Sequence, residues 1–66
     1  MHSFTMNLKL TEAERGVFNE GRRQGWVFAR SGTPKVNPYG TPFEHELFED
    51  GFRKGEAAFW KSKQLT

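Results

Sequence analysis

Phe48-Glu49-Asp50-Gly51-Phe52-Arg53-Lys54-Gly55 repeats, thirty residues on, the pattern of Phe18-Asn19-Glu20-Gly21-Arg22-Arg23-Gln24-Gly25. In both copies an aromatic residue is followed by two polar ones and then by Gly-x-Arg-x-Gly. Glycines four apart share one face of a helix, where each costs about 1 kcal/mol against alanine. Two such pairs point to something that approaches each helix closely, and the simplest candidate is the other helix. The spacing therefore predicts two helices that meet through Gly21, Gly25, Gly51 and Gly55, with Phe18, Phe48 and Phe52 bracketing the contact.

Outward from this repeat, the helix limits are well marked. Thr11-Glu12-Ala13-Glu14 is a capping-box sequence, and Ser31-Gly32 followed by Thr33-Pro34 is a stop. Thr41, Pro42 and Glu44 announce the second start in the same way. The expected elements are a first helix over 11–31, a loop over 32–40 and a second helix over 41–63. Phe43, Leu47, Phe48, Phe52, Ala58 and Phe59 join the glycines on the buried stripe of the second helix, with Trp60 at its edge. The fold expected is all-α, two antiparallel helices joined by an extended Pro/Gly loop. Before them, Phe4, Met6, Leu8 and Leu10 alternate with Thr5, Asn7 and Lys9, the period of a half-buried strand. Residues 1–10 therefore read as an extended arm that folds over the helices or joins a second copy in a homodimer.

Sixty-six residues make one small domain, and the absence of cysteine excludes disulfide staples. No apolar run approaches the length of a membrane span and the start lacks the apolar block of a signal peptide, so a cytoplasmic protein is expected. The net charge of +2 is small but unevenly spread. From Gly21 to Val36 there are Arg22, Arg23, Arg30 and Lys35 and no acid, whereas from Asn37 to Asp50 there are Glu44, Glu46, Glu49 and Asp50 and no Lys or Arg.

Catalytic patterns are thin. No thiol is present, the serines stand beside no acid–histidine pair, and a glycine pair inside a helix is not a phosphate loop. His45 and Glu49 have a spacing that can hold a metal, but a site needs at least one more ligand. No enzyme, metal or cofactor is expected. The residues that remain favour binding: Arg15, Arg22, Arg23, Arg30 and Lys35 suit phosphates, and Trp26 or Tyr39 can stack on an unpaired base. The blander alternatives are solubilising arginines and a Tyr39 that anchors the loop.

Gly21-x-x-x-Gly25, Ala29-Arg30-Ser31, Asn37-Pro38-Tyr39 and Phe48-x-x-Gly51-Phe52-Arg53, in this order and spacing, resemble the ribosome modulation factor family of small bacterial proteins. The resemblance covers roughly residues 14–56. Family members often carry Cys-Pro-Tyr where this chain has Asn37-Pro38-Tyr39, and tryptophans where it has Phe48 and Phe52. The resemblance implies two helices joined by an extended loop. It also implies binding to the small ribosomal subunit and its 16S RNA, near the messenger exit and the RNA 3′ end, to block initiation and promote ribosome hibernation in starvation. The family's Lys/Arg-rich N-terminus is replaced here by Met1-His2-Ser3-Phe4, so weaker affinity for bare RNA is expected. Two other readings compete: a phage- or plasmid-type inhibitor of a host protein, and a ribbon-helix-helix repressor whose strand is the arm.

Overall fold

A computed structural model describes residues 10–64. It contains two helices, α1 (Glu12–Ser31) and α2 (Pro42–Gln64), and between them a loop without regular structure. The fold is all-α, and both helices begin and end within a residue or two of the limits expected. The proposed strand of the arm lies outside the described residues except for Leu10, which packs against the core.

The caps explain the limits. Thr11 Oγ1 accepts from the Glu14 amide at 3.1 Å, while the Thr11 amide donates to Glu14 Oε1 at 2.9 Å, satisfying two donors that a helix start leaves open. At the other end Gly32 takes φ 78°, and its N–H reaches the Phe28 carbonyl at 2.7 Å. A side chain there would be strained, which is why α1 stops at this glycine. The start of α2 differs from expectation. Thr41 Oγ1 donates to Glu44 Oε1 at 3.0 Å, side chain to side chain, and among the described residues the reciprocal amide bonds of a second capping box are not formed.

The helices meet through the glycines. A Cβ at Gly21 would sit inside contact distance of the Phe48 carbonyl and 3.1 Å from the Phe52 amide nitrogen, and one at Gly25 would meet Phe52 and Glu56 in the same way. Gly51 faces the Phe18 carbonyl and the Arg22 amide, and Gly55 faces Arg22. Each glycine thus presents an α-hydrogen to a carbonyl across the interface, a weak hydrogen bond of about 0.5–1 kcal/mol. Four such contacts roughly offset the ~1 kcal/mol that each helical glycine costs. What the close approach then adds is packing, since it lets Phe48 become fully buried and seals Val17, Leu47 and Phe52 around it.

The same contacts set the direction of the pair. As the position advances along α1 its partner advances along α2, always about thirty residues further on. Leu10 and Val17 pack near Leu47 and Phe48 at one end, and Trp26 meets Phe59 at the other, ring centroids 5.2 Å apart. The helices therefore run in the same sense, and the expected antiparallel arrangement is corrected. The physical reason is reach. An α1 of 20 residues is about 30 Å long, and the extended chain from Gly32 to Thr41 spans ~33 Å at about 3.3 Å per residue. The loop carries the chain back to the level where α1 began.

Parallel helices place both positive dipole ends at one pole and both negative ends at the other. Glu12, Glu14 and Glu44 stand in the two first turns, and Arg30, Lys61 and Lys63 in the two last turns. Each such charge contributes about 0.3–1 kcal/mol, which counters the side-by-side repulsion of the dipoles. One expectation for the apolar stripe is corrected: Phe43 is 40% exposed at the start of α2. On α1, Phe28 is 37% exposed with its ring leaning on Phe52.

Gly16 lies in α1 with open space around it, in contrast to the four interface glycines. Gly16→Ala should raise the melting temperature, by up to ~1 kcal/mol of helix propensity. Gly21→Ala or Gly51→Ala should lower it, since overpacking of about 1–3 kcal/mol outweighs that gain. A rise in melting temperature for all three would be incompatible with the glycine crossing.

Candidate nucleic-acid interface

The residues expected to contact phosphate or base do not all fall in one patch. Arg15 is exposed, and its Nη1 donates to the Leu10 carbonyl at 3.1 Å, fastening the entry to α1. Lys35 Nζ reaches Glu49 Oε1 at 2.5 Å and lies 5.1 Å from the centre of the Phe52 ring. Tyr39 is half-buried against Phe48, centroids 5.8 Å apart. These three hold the framework together. Arg23 forks onto Glu20 through Nε at 3.1 Å and Nη2 at 2.6 Å. Arg22 and Arg30 are exposed and, among the described residues, belong to none of the ion pairs.

Glu49 is the fastening point of the loop. Asn37 Nδ2 donates to Glu49 Oε2 at 2.9 Å and to the His45 carbonyl at 3.2 Å, while Asn37 Oδ1 accepts from the Tyr39 amide at 3.1 Å. This side chain closes the turn before Pro38 and pins it to α2. On the α1 side the Val36 amide donates to Gln24 Oε1 at 3.0 Å. The hydrogen bond from Lys35, and then that from Asn37, hold the Glu49 carboxyl below its ordinary range against the opposing effect of burial. Both carboxylate oxygens of Glu49 are engaged in this way. The asparagine-proline pair was a visible turn signal, but its reach to α2 depends on the direction of the helices.

On another side of the helix pair lies a shallow groove of about 350 Å³, lined by Asn19, Arg22, Arg23 and Trp26 of α1 and by Gly55 and Ala58 of α2. Its α2 wall is low because glycine and alanine supply almost no side chain. Lys54 and Lys61 are exposed and share the helical stripe of Ala58, outside the lining of the groove itself. Trp26 is 39% exposed and its ring meets Phe59 edge to face at an interplanar angle of 87°. Guanidinium forks beside an indole can grip a phosphate and cover a base. The interhelical position was hidden in the sequence, and so were the contributions of Asn19 and Ala58. Among the described residues no group of three His, Cys, Asp or Glu could hold a metal ion, and no helix is long and apolar enough to cross a membrane.

Comparison of the chain with protein-family models, with curated proteins and with solved structures finds no match.

Two measurements test the loop fastening. Asn37→Ala should destabilise the fold by about 1–3 kcal/mol, because it removes the hydrogen bonds to the part-buried Glu49 carboxylate and Tyr39 amide. The depressed Glu49 carboxyl contributes stability that is complete above its unfolded value near 4.5 and is lost as pH falls through the lower folded value. Glu49→Gln should therefore remove part of the acid limb of a melting-temperature profile and leave a flatter curve there. An unchanged acid limb would show that the loop is not fastened through this carboxylate.

Proposed function

We propose that this chain is a small RNA-binding regulator, working in the cytoplasm on the 16S RNA of the small ribosomal subunit to inhibit translation and promote hibernation. The observation that carries this reading is the groove in which Arg22, Arg23 and Trp26 line one wall and low residues the other. The resemblance to ribosome modulation factor supplies the ribosome. Its motif residues fall largely on the framework, because Gly21, Gly25, Gly51, Phe48 and Phe52 build the crossing and Asn37 and Tyr39 fasten the loop. They support a shared scaffold more than a shared contact surface. Arg30, also within the motif, is exposed and remains a candidate phosphate contact.

A partner of protein character is the second reading. It is favoured by Val36, Phe43 and Trp60, large apolar side chains left 63%, 40% and 52% exposed. These stand apart from one another in the sequence, and single exposed apolar residues are ordinary on small proteins. The repressor reading gains no support, since the strand it needs lies outside the described residues.

Binding to a 16S RNA fragment across a salt series tests the first reading. Changing Arg22, Arg23 and Arg30 together to Gln should preserve the fold and shrink the log–log salt slope by roughly two, at ~0.7–0.9 for each phosphate contact of Arg22 and Arg30 and less for Arg23, which is forked onto Glu20. Glu46→Gln should leave binding unchanged or raise it slightly. Dispensable arginines together with an essential Glu46 would point to a basic protein surface and end the RNA reading.

A further inference from the structure

We infer that the groove beside Trp26 takes an unpaired nucleotide, with the base covered by the indole and a phosphate held by Arg22, so that the ligand is single-stranded RNA and not a duplex. This rests on the RNA reading above and specifies the form of RNA that the same groove accepts.

Four observations support it. First, the size is right: about 350 Å³ lies at the lower end of the ~300–1,000 Å³ typical of small-ligand sites. That is room for one planar group and its phosphate, on a wall that Gly55 and Ala58 keep low. Second, the indole is held in place. Its edge-to-face contact with Phe59 fixes the ring while leaving it 39% exposed, so little freedom is lost when a base covers it.

Third, the two neighbouring arginines differ. Arg23 is already forked onto Glu20, whereas Arg22 is exposed, and its backbone is seated against Gly55 in the crossing. The phosphate contact therefore falls to Arg22, whose root is rigid and whose fork is uncommitted among the described ion pairs. Fourth, Lys54 and Lys61 are exposed on the helical stripe of Ala58, just outside the lining of the groove, and add positive charge on that side, which complements a polyanion. The other aromatic candidates lack this combination. Tyr39 is packed on Phe48, and Trp60, though 52% exposed, lines no part of this groove. A duplex keeps its bases stacked inside, and in A-form RNA the major groove is too narrow for side chains to read. Only an unpaired base can lie against Trp26.

The test uses the full chain carrying Trp60→Phe, which leaves Trp26 as the only indole. Its fluorescence is titrated with a short oligoadenylate and with an RNA hairpin of the same length. The inference expects quenching by the single strand and binding about tenfold or more tighter than to the hairpin. Trp26→Leu, which keeps an apolar contact for Phe59, should weaken single-strand binding by about tenfold, the scale of one base–aromatic stack. Arg22→Gln should lower the single-strand salt slope by ~0.7, and Arg23→Gln by clearly less. Equal affinity for both RNAs, with Trp26→Leu and Arg22→Gln without effect, would overturn the inference and leave the broader RNA reading standing. Failure to bind either RNA would overturn both.

Discussion

The seating of four glycine α-hydrogens on four backbone carbonyls governs the rest of the molecule. It demands that the two backbones touch, so glycine stands at the crossing despite its cost to each helix. It also demands that the two copies of the motif lie in the same sense, because each glycine meets the carbonyl three places before a glycine on the partner helix. Direction, loop length and the placing of charge follow from that one geometric requirement.

A parallel pair meets an electrostatic cost that an antiparallel pair avoids, and this chain counters it in two places. Carboxylates gather at the pole where the amides point outward, and cations at the pole where carbonyls do. The loop is the second place. Running along the helices, it is fastened to α1 through Gln24 and to α2 through Glu49 and the His45 carbonyl. Lys35 thus bridges the basic and acidic stretches that the sequence separates. Opposite charges that stand apart along the chain are neighbours in the fold.

Much of the fold was legible. The repeated Phe-x-x-Gly-x-x-x-Gly motif marked the contact, Thr11 and Gly32 marked the limits of α1, and Pro42 marked the start of α2. The direction was not legible from the glycines alone, since a small-residue stripe can receive a partner either way. The signal lay in the loop, whose length matches the rise of α1 and exceeds what a tight return needs. The site was less visible for a related reason. Whether Lys35 faces solvent or Glu49, fourteen positions on, depends on where the loop runs. The sequence set Arg15, Arg22, Arg23 and Arg30 together on α1 as candidate phosphate contacts. It could not separate Arg23, taken by Glu20, from Arg22, nor show that Gly55 and Ala58 open a groove beside them.

The constant offset of about thirty residues between partners has a consequence for how the chain reaches this state. In an antiparallel pair the first contacts form beside the turn and the rest zip outward, each closing only a slightly longer loop. Here the glycine contacts are all non-local: each encloses about thirty residues of chain, so none lowers the entropy of closure in advance of the others. Both helices must be largely formed, and the intervening segment extended, before the first carbonyl finds its glycine. Such a chain has the secondary structure of a fast-folding helical bundle but a contact order closer to that of β proteins, and it should fold correspondingly slowly. Once assembled it has no hinge end from which to peel, so its two helices are lost together.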